Sequence, residues 1–197
     1  MLSLLRMKRF YIIAGPNGAG KTTASYSILP EIFECKEFVN ADEIAKGISP
    51  FNPEKVGIKA GRIMLSRIQE LLDKNEVFAF ETTLSTKSYA RLIEKGKKKN
   101  YEVILLFLAL DSIELAIKRV STRVKEGGHD IPENVIRRRY TNGLKNFFRI
   151  YIHIVDKWIM VDNSGETFKI IAEGTNKETV VKNKKTWHKL TNTYYGS

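Results

Sequence analysis

The sequence predicts an α/β domain: a mostly parallel, five-stranded sheet with helices on both faces. Three observations carry this. Short apolar stretches alternate with longer amphipathic ones along the chain, the pattern of strand–helix–strand units. The stretch YEVILLFLAL (101–110) is apolar almost without a break, which suits a strand covered on both faces. The run YIIAGPNGAGKTTASYSILPE (11–31) reads as a strand, a glycine-rich turn and the start of a helix.

Taken in order, RFYIIAG (9–15) is strand one, and the helix after the turn spans about Gly20 to Leu29, stopped by Pro30. EFVN (37–40) is strand two. Asn52 and Pro53 read as an N-cap followed by proline at the first helical position. They open a helix to about Lys74 whose core face includes Val56, Ala60, Met64, Ile68 and Leu72. VFAFE (77–81) is strand three, residues 86–97 form a helix, and YEVILLFLAL lies mid-sheet. Asp111 and Glu114 have the spacing of a capping box for a helix that ends at Gly127-Gly128. Pro132 begins another through NVIRRRYTNGLKNFF (134–148), WIMVDN (158–163) is the last strand, and a short FKIIAE (168–173) closes the fold.

At 197 residues and 43% hydrophobic, the chain supports one good-sized core. The expected division is a single domain over 1–176, with a lid at about 124–140, and a basic tail over 177–197. No apolar run reaches the ~20 residues that span a bilayer, and Arg6, Lys8 and Arg9 interrupt the opening, so a cytoplasmic protein with no membrane partner is expected. The lone Cys35 has no internal partner and is expected as a small core residue. The formal charge of +11 points to anionic partners. Part of it is bland: EKGKKKN (94–100) reads as the solvated end of a helix. The tail carries five lysines against one glutamate with no clear period, so a frayed end is expected rather than a docking arm.

Residues 15–22 fit G-x-x-x-x-G-K-[ST] in a strand–turn–helix setting, which predicts the three-layer P-loop NTPase fold and bound ATP with Mg²⁺. Gly15, Pro16, Asn17, Gly18, Ala19, Gly20, Lys21, Thr22 and Thr23 form the expected nucleotide cradle, because successive backbone N–H groups can face phosphate oxygens where glycines leave room. Lys21 reaches the β- and γ-phosphates, and the Thr22 hydroxyl holds Mg²⁺. The wording GPNGAGKTT is common in transporter ATPases, yet the chain lacks an LSGGQ-like motif and a strand ending in Asp-Glu. A phosphate-transferring kinase remains.

Such a kinase needs a carboxylate for the accepting hydroxyl and cations for the migrating phosphoryl group. Asp42, in NADEIAKG after strand two, is expected as the general base, since a right-handed crossover brings that strand's carboxyl end beside the turn or one strand away. The competing reading has Asp42 cap the helix that starts at Glu43. Glu81 and Thr83, at the end of strand three, are expected to touch substrate or a metal-bound water, and Arg62 is a further substrate candidate. Arg119 and Arg123 share a helix face. Arg137, Arg138 and Arg139 cannot all face one ligand, and Arg138 or Arg139 is expected to do so, with Arg138 counted in the catalytic set. His129 is expected as a hydrogen-bonding residue of the lid. NFFRIYIHIVDKW (146–158) is expected as a core-packing helix rather than a base-stacking surface, and DNSGE (162–166) stands where small kinases hold adenine.

Together, AGPNGAGKTT, NADEIA, FETTLS, GGHDIP, IRRRY and DNS resemble the zeta toxin family of P-loop kinases over roughly residues 8–173. The resemblance implies phosphorylation of a sugar hydroxyl of UDP-N-acetylglucosamine with ATP and Mg²⁺, and a helical antitoxin partner. By it, Lys21 is the P-loop lysine, Asp42 the base, Glu81 and Thr83 sugar contacts, and Arg119 the first phosphate-binding arginine. The chain departs from the family at two places. The lid position of a second arginine holds His129 or Asp130, and a Glu-Gly-Thr-Gly-Arg stretch is Glu81-Thr-Thr-Leu-Ser here. Two other functions share parts of this pattern: a polynucleotide 5′-hydroxyl kinase, and a toxin acting mainly as the binding partner of its antitoxin.

Overall fold

The structure, a computed structural model, describes residues 8–128 and 130–196. The sheet has seven strands in the order β2-β3-β1-β4-β5-β6-β7. These are β1 (Arg9–Ala14), β2 (Glu37–Val39), β3 (Phe78–Thr82), β4 (Glu102–Ala109), β5 (Lys157–Asp162), β6 (Lys169–Gly174) and β7 (Thr179–Val181). The first five run parallel, as the apolar segments predict, and β6 and β7 add an antiparallel extension that raises the count from five to seven. The central position of β4 explains its continuous apolar sequence: Val103, Leu105, Phe107 and Leu108 are all fully buried.

The helices are α1 (Lys21–Glu31), α2 (Ala41–Ile48), α3 (Gly57–Lys74), α4 (Tyr89–Lys98), α5 (Ile113–Lys125), α6 (Glu133–Asn146), α7 (Ile152–Ile154) and α8 (Lys184–Tyr194). The α3 core face is as expected at Ala60, Met64, Ile68 and Leu72, joined by Leu71, but Pro53–Val56 form a separate 3₁₀ turn before it. Ser112, not Asp111, caps α5: its hydroxyl accepts from Leu115 N at 3.2 Å. α6 runs into a π-helical turn at Phe147–Tyr151, which aims Phe147, Phe148 and Tyr151 into the core. Phe147 packs edge-on against Trp158 and tilted on Phe107, so this aromatic segment is core, as its spacing predicts.

Lys97, Lys98 and Lys99 pair on the surface with Asp156, Glu94 and Asp73, and Lys95 donates to Gln69 Oε1. Cys35 is buried, and burial pushes its thiol up to about 11, as suits a packing residue.

The tail differs from the expected frayed end: its described residues, 177–196, contribute β7 and α8. The helix is capped by Asn183, whose Oδ1 accepts from Thr186 N, and it buries Leu190. Its Trp187 stacks on Trp158 with ring centroids 5.7 Å apart and planes 6° from parallel. The stripe Trp187, Leu190, Tyr194 recurs at helical spacing; the surrounding lysines hide it in the sequence.

Candidate active site

A parallel sheet carries the carboxyl ends of its strands to one edge, and here the register decides which side chains meet there. Ala14 pairs with Thr82 and Ile13 with Glu81, so Glu81 stands beside the point where β1 enters the glycine turn. Val39 pairs with Phe80, which brings Asn40 alongside Glu81 from one strand further out. The crossover has thus set β2 one strand away from β1, with β3 between them.

The turn itself needs glycine at Gly15, where a Cβ would run into the Leu108 carbonyl oxygen, and at Gly20, which enters α1 at φ 74°. Lys21 is folded back, 6% exposed, and donates to Pro16 O at 3.0 Å. Its ammonium lies 3.5 Å from Glu81 Oε1. Thr22 Oγ1 donates to Glu81 Oε2 at 2.7 Å, and Asn40 Nδ2 donates to the same oxygen at 2.9 Å. Glu81 therefore belongs to a tight polar cluster with Lys21, Thr22 and Asn40, which accounts for a carboxylate at the end of a buried strand.

Asn40 also caps α2: its Oδ1 accepts from the N–H groups of Asp42 and Glu43 at 2.8 and 3.4 Å. The competing reading of Asp42 as the cap fails for this reason. With the cap supplied two residues earlier, Asp42 sits in the first turn of α2.

Three cavities meet at Asp42. One, of about 240 Å³, is lined by Gly18, Gly20, Lys21, Thr22, Thr23, Arg119 and Arg123 together with Asp42. A second, about 170 Å³, is lined by Asn17, Lys21, Asn40, Glu81, Thr83 and Arg139 besides Asp42. A third, about 500 Å³, lies between the α2–α3 segment and the start of α6. Asp42 lines all of them.

The arginines sort by geometry. Arg119 donates to Asn163 O at 2.7 Å and to Ser164 O at 3.0 Å, so it ties the loop after β5 to the cavity of the glycine turn that it lines. Asn163 in turn donates from Nδ2 to Ala19 O at 2.9 Å. Arg137 is taken up by Glu133 and Glu114. Arg138 is exposed and lines none of these cavities; the structure brings Arg139 there instead, with Nη1 3.4 Å from Asn17 Oδ1. The reason is helix phase: Ile136 and Tyr140 face the core, and at about 100° per residue Arg138 points the opposite way. Burial holds the Arg139 guanidinium below the ordinary arginine range, with the Asp42 charge working against burial, and it remains a cation at neutral pH. Arg62 is likewise exposed on α3 and lines none of the cavities. His129 lies outside the described residues.

The donor set fits a magnesium nucleotide. Thr22 and Glu81 offer hard oxygens 2.7 Å apart, and Mg²⁺ takes one or two protein ligands and completes its octahedron with phosphates and water. Among the described residues no group of three or more His, Cys, Asp or Glu could hold a metal alone, so such an ion would depend on the nucleotide's phosphates.

A profile of the zeta toxin family matches residues 5–175. The chain belongs to the zeta toxin family. Within it, this zeta toxin family protein is 31% identical over 126 residues to an uncharacterized protein of Haemophilus influenzae, covering 64% of this chain and 88% of that one. Among solved structures it is similar to the AvrRxo1-ORF1:AvrRxo1-ORF2 complex with sulphate ions, at TM-score 0.75 and 16% identity over 94% of this chain. It spans 64% of the length of that chain. The same complex has also been solved with ATP, at TM-score 0.70. A structure from the PezAT toxin–antitoxin system of Streptococcus pneumoniae matches at TM-score 0.69 and 17% identity, over 98% of this chain and 80% of that one. A gluconokinase of Sinorhizobium meliloti matches at 0.53 and 16% identity, over 81% and 85%. At such identities the structural likenesses are of fold, and that fold is the one of P-loop kinases.

Asn40 escaped the sequence reading of this zeta toxin family protein, and the choice between Arg138 and Arg139 stayed open there. Asn40 reads as the end of strand two, although an Asn directly before a helix is itself an N-cap signal. Arg139 stands beside the expected Arg138, and the phase of Ile136 and Tyr140 separates them.

Proposed function

We propose that this protein is an ATP-dependent phosphotransferase that moves the γ-phosphate of ATP to a hydroxyl of a small molecule. The observation that supports it is Asp42, one carboxylate lining both the cavity of the glycine turn and the large cavity beyond it. In this reading the turn Gly15–Thr23 and Lys21 hold the triphosphate, and Thr22 and Glu81 hold Mg²⁺. A metal held there would supply positive charge against the phosphates. Asp42 accepts the acceptor's hydroxyl proton as the new O–P bond forms. The bond from the γ-phosphorus to its bridging oxygen breaks, and ADP leaves. Arg119, Arg123 and Arg139 surround the migrating group and offset its charge.

This reading moves Glu81 from a sugar contact to the metal side, because its carboxylate already engages Thr22 and Lys21. Thr83 keeps an acceptor-side role through the second cavity. The nucleotide-sugar expected from the family draws no support from the third cavity, where carboxylates outnumber cations.

The test is label transfer from γ-labelled ATP with Mg²⁺ to a panel of alcohols, UDP-sugars and oligonucleotides, with Asp42→Ala alongside. Labelled small molecules that vanish with the variant support the reading. Labelled oligonucleotides, with binding that falls steeply with salt, would favour the polynucleotide kinase instead.

A second reading, a toxin held by a partner, is favoured by two exposed apolar side chains, Ile58 in the lining of the third cavity at 80% exposure and Phe51, two residues before the lining Pro53, at 95%. A helical partner seated on them would cover the cavity mouth, and ATP hydrolysis by the isolated chain would then fall on adding it.

A further inference from the structure

The third cavity carries information about the acceptor that the glycine turn cannot. Its walls are largely apolar: Ala45 from α2, Pro53 and Ile58 from the segment after it, and Ile131 and Val135 at the start of α6. Among the described residues, its charged groups are three carboxylates, Asp42, Glu54 and Asp130, against one guanidinium, Arg139. Asp130 gives one oxygen to the N–H of Ile131 at 2.8 Å. Arg139 is shared: it also lines the cavity with Lys21 and bonds to Asn17, on the side where the γ-phosphate would sit. The remaining cations of this segment, Lys55, Lys59 and Arg62, line none of the three cavities.

A diphosphate or carboxylate entering this space would give up water for largely apolar walls, would meet like charge from three carboxylates, and would have only the shared Arg139 to offset it among the described residues. An apolar body would fit the walls, and an ammonium group would find Glu54 and Asp130.

We propose that the phosphate acceptor is an alcohol without anionic groups, apolar in body and best when it carries an amine. The inference rests on the phosphotransfer reading for treating the ligand of this cavity as the acceptor. It predicts discrimination between molecules of nearly the same skeleton. Phenylalaninol and phenyllactate share a ring, a short chain and a hydroxyl, and differ in carrying an ammonium or a carboxylate.

Calorimetric titration of the full chain, with Mg²⁺ and a non-hydrolysable ATP analogue present, should give phenylalaninol at least a ~10-fold lower Kd than phenyllactate. Glu54→Lys, a change at an exposed position, should narrow that ratio by roughly 5-fold. Equal or tighter binding of phenyllactate or UDP-N-acetylglucosamine, no binding by either phenyl compound, or a ratio that Glu54→Lys leaves untouched would each overturn the proposal. Label transfer from γ-labelled ATP separates the two readings. Label moving only to UDP-N-acetylglucosamine overturns this inference and leaves the phosphotransferase standing. The expected binding ratio, with no label passing to any acceptor, overturns the phosphotransferase and with it the ligand's status as acceptor.

Discussion

On one side of β4, strands β3 and β2 run parallel to β1 and deliver the glycine turn, Glu81 and Asn40 to a common edge. On the other, β6 and β7 turn antiparallel, and neither they nor α8 line any of the three cavities around Asp42. The two regions are nonetheless joined through one core, since Trp158 of β5 lies between Phe147 and the stacked Trp187 of α8. Chemistry thus gathers where strand direction is uniform, because only parallel strands present their carboxyl ends together. The antiparallel region serves by covering apolar surface.

If that division holds, damage on the parallel side lowers turnover at constant stability, and damage on the other side does the reverse. The largest effect is expected at Lys21→Ala and Asp42→Ala, each lowering turnover by at least ~10²-fold in a label-transfer assay while circular dichroism stays native. Full turnover by Asp42→Ala would refute its role as base. Arg139→Ala should come second, with a loss of up to about 10²-fold. Next comes Leu190→Ala in α8, expected to cost about 2 kcal/mol in urea unfolding through the cavity it leaves, with turnover per folded molecule unchanged. A turnover loss larger than the loss of folded protein would break the comparison. The smallest effects belong to Arg138→Ala and Arg62→Ala, expected within about 2-fold of the parent protein because neither side chain lines a cavity of the site. A large loss at Arg138 would mean that α6 rotates when substrate binds.

Much of this architecture is readable in the sequence for reasons that are themselves physical. Parallel strands buried on both faces must be continuously apolar, so β1, β3 and β4 announce themselves, and a phosphate turn needs its glycines in a fixed pattern. Asp42 could be placed because crossover handedness leaves β2 few positions. Phase and register are harder to read. Which of three successive arginines faces inward depends on which helix face meets the core, and that is settled by Ile136 and Tyr140 across a whole turn. The α8 stripe of Trp187, Leu190 and Tyr194 is obscured by lysines on the other faces. The segment of β6 is legible as FKIIAE, but β7 is a short, half-exposed edge strand whose apolar signal is diluted.

Asn40 has a consequence for how the protein can change. Its carboxamide holds Glu81 with the nitrogen and the start of α2 with the oxygen, and it is 6% exposed. The first turn of α2, with Asp42, and the glycine turn are therefore pinned to one another by a single rigid plane, whatever the rest of α2 contains. Later turns of that helix, and the segment through Pro53 and Ile58, can be rewritten to suit another guest without moving Asp42 relative to the glycine turn. Replacing the amide by aspartate would keep the latch on the helix and set two acids against each other, and the pin would spring.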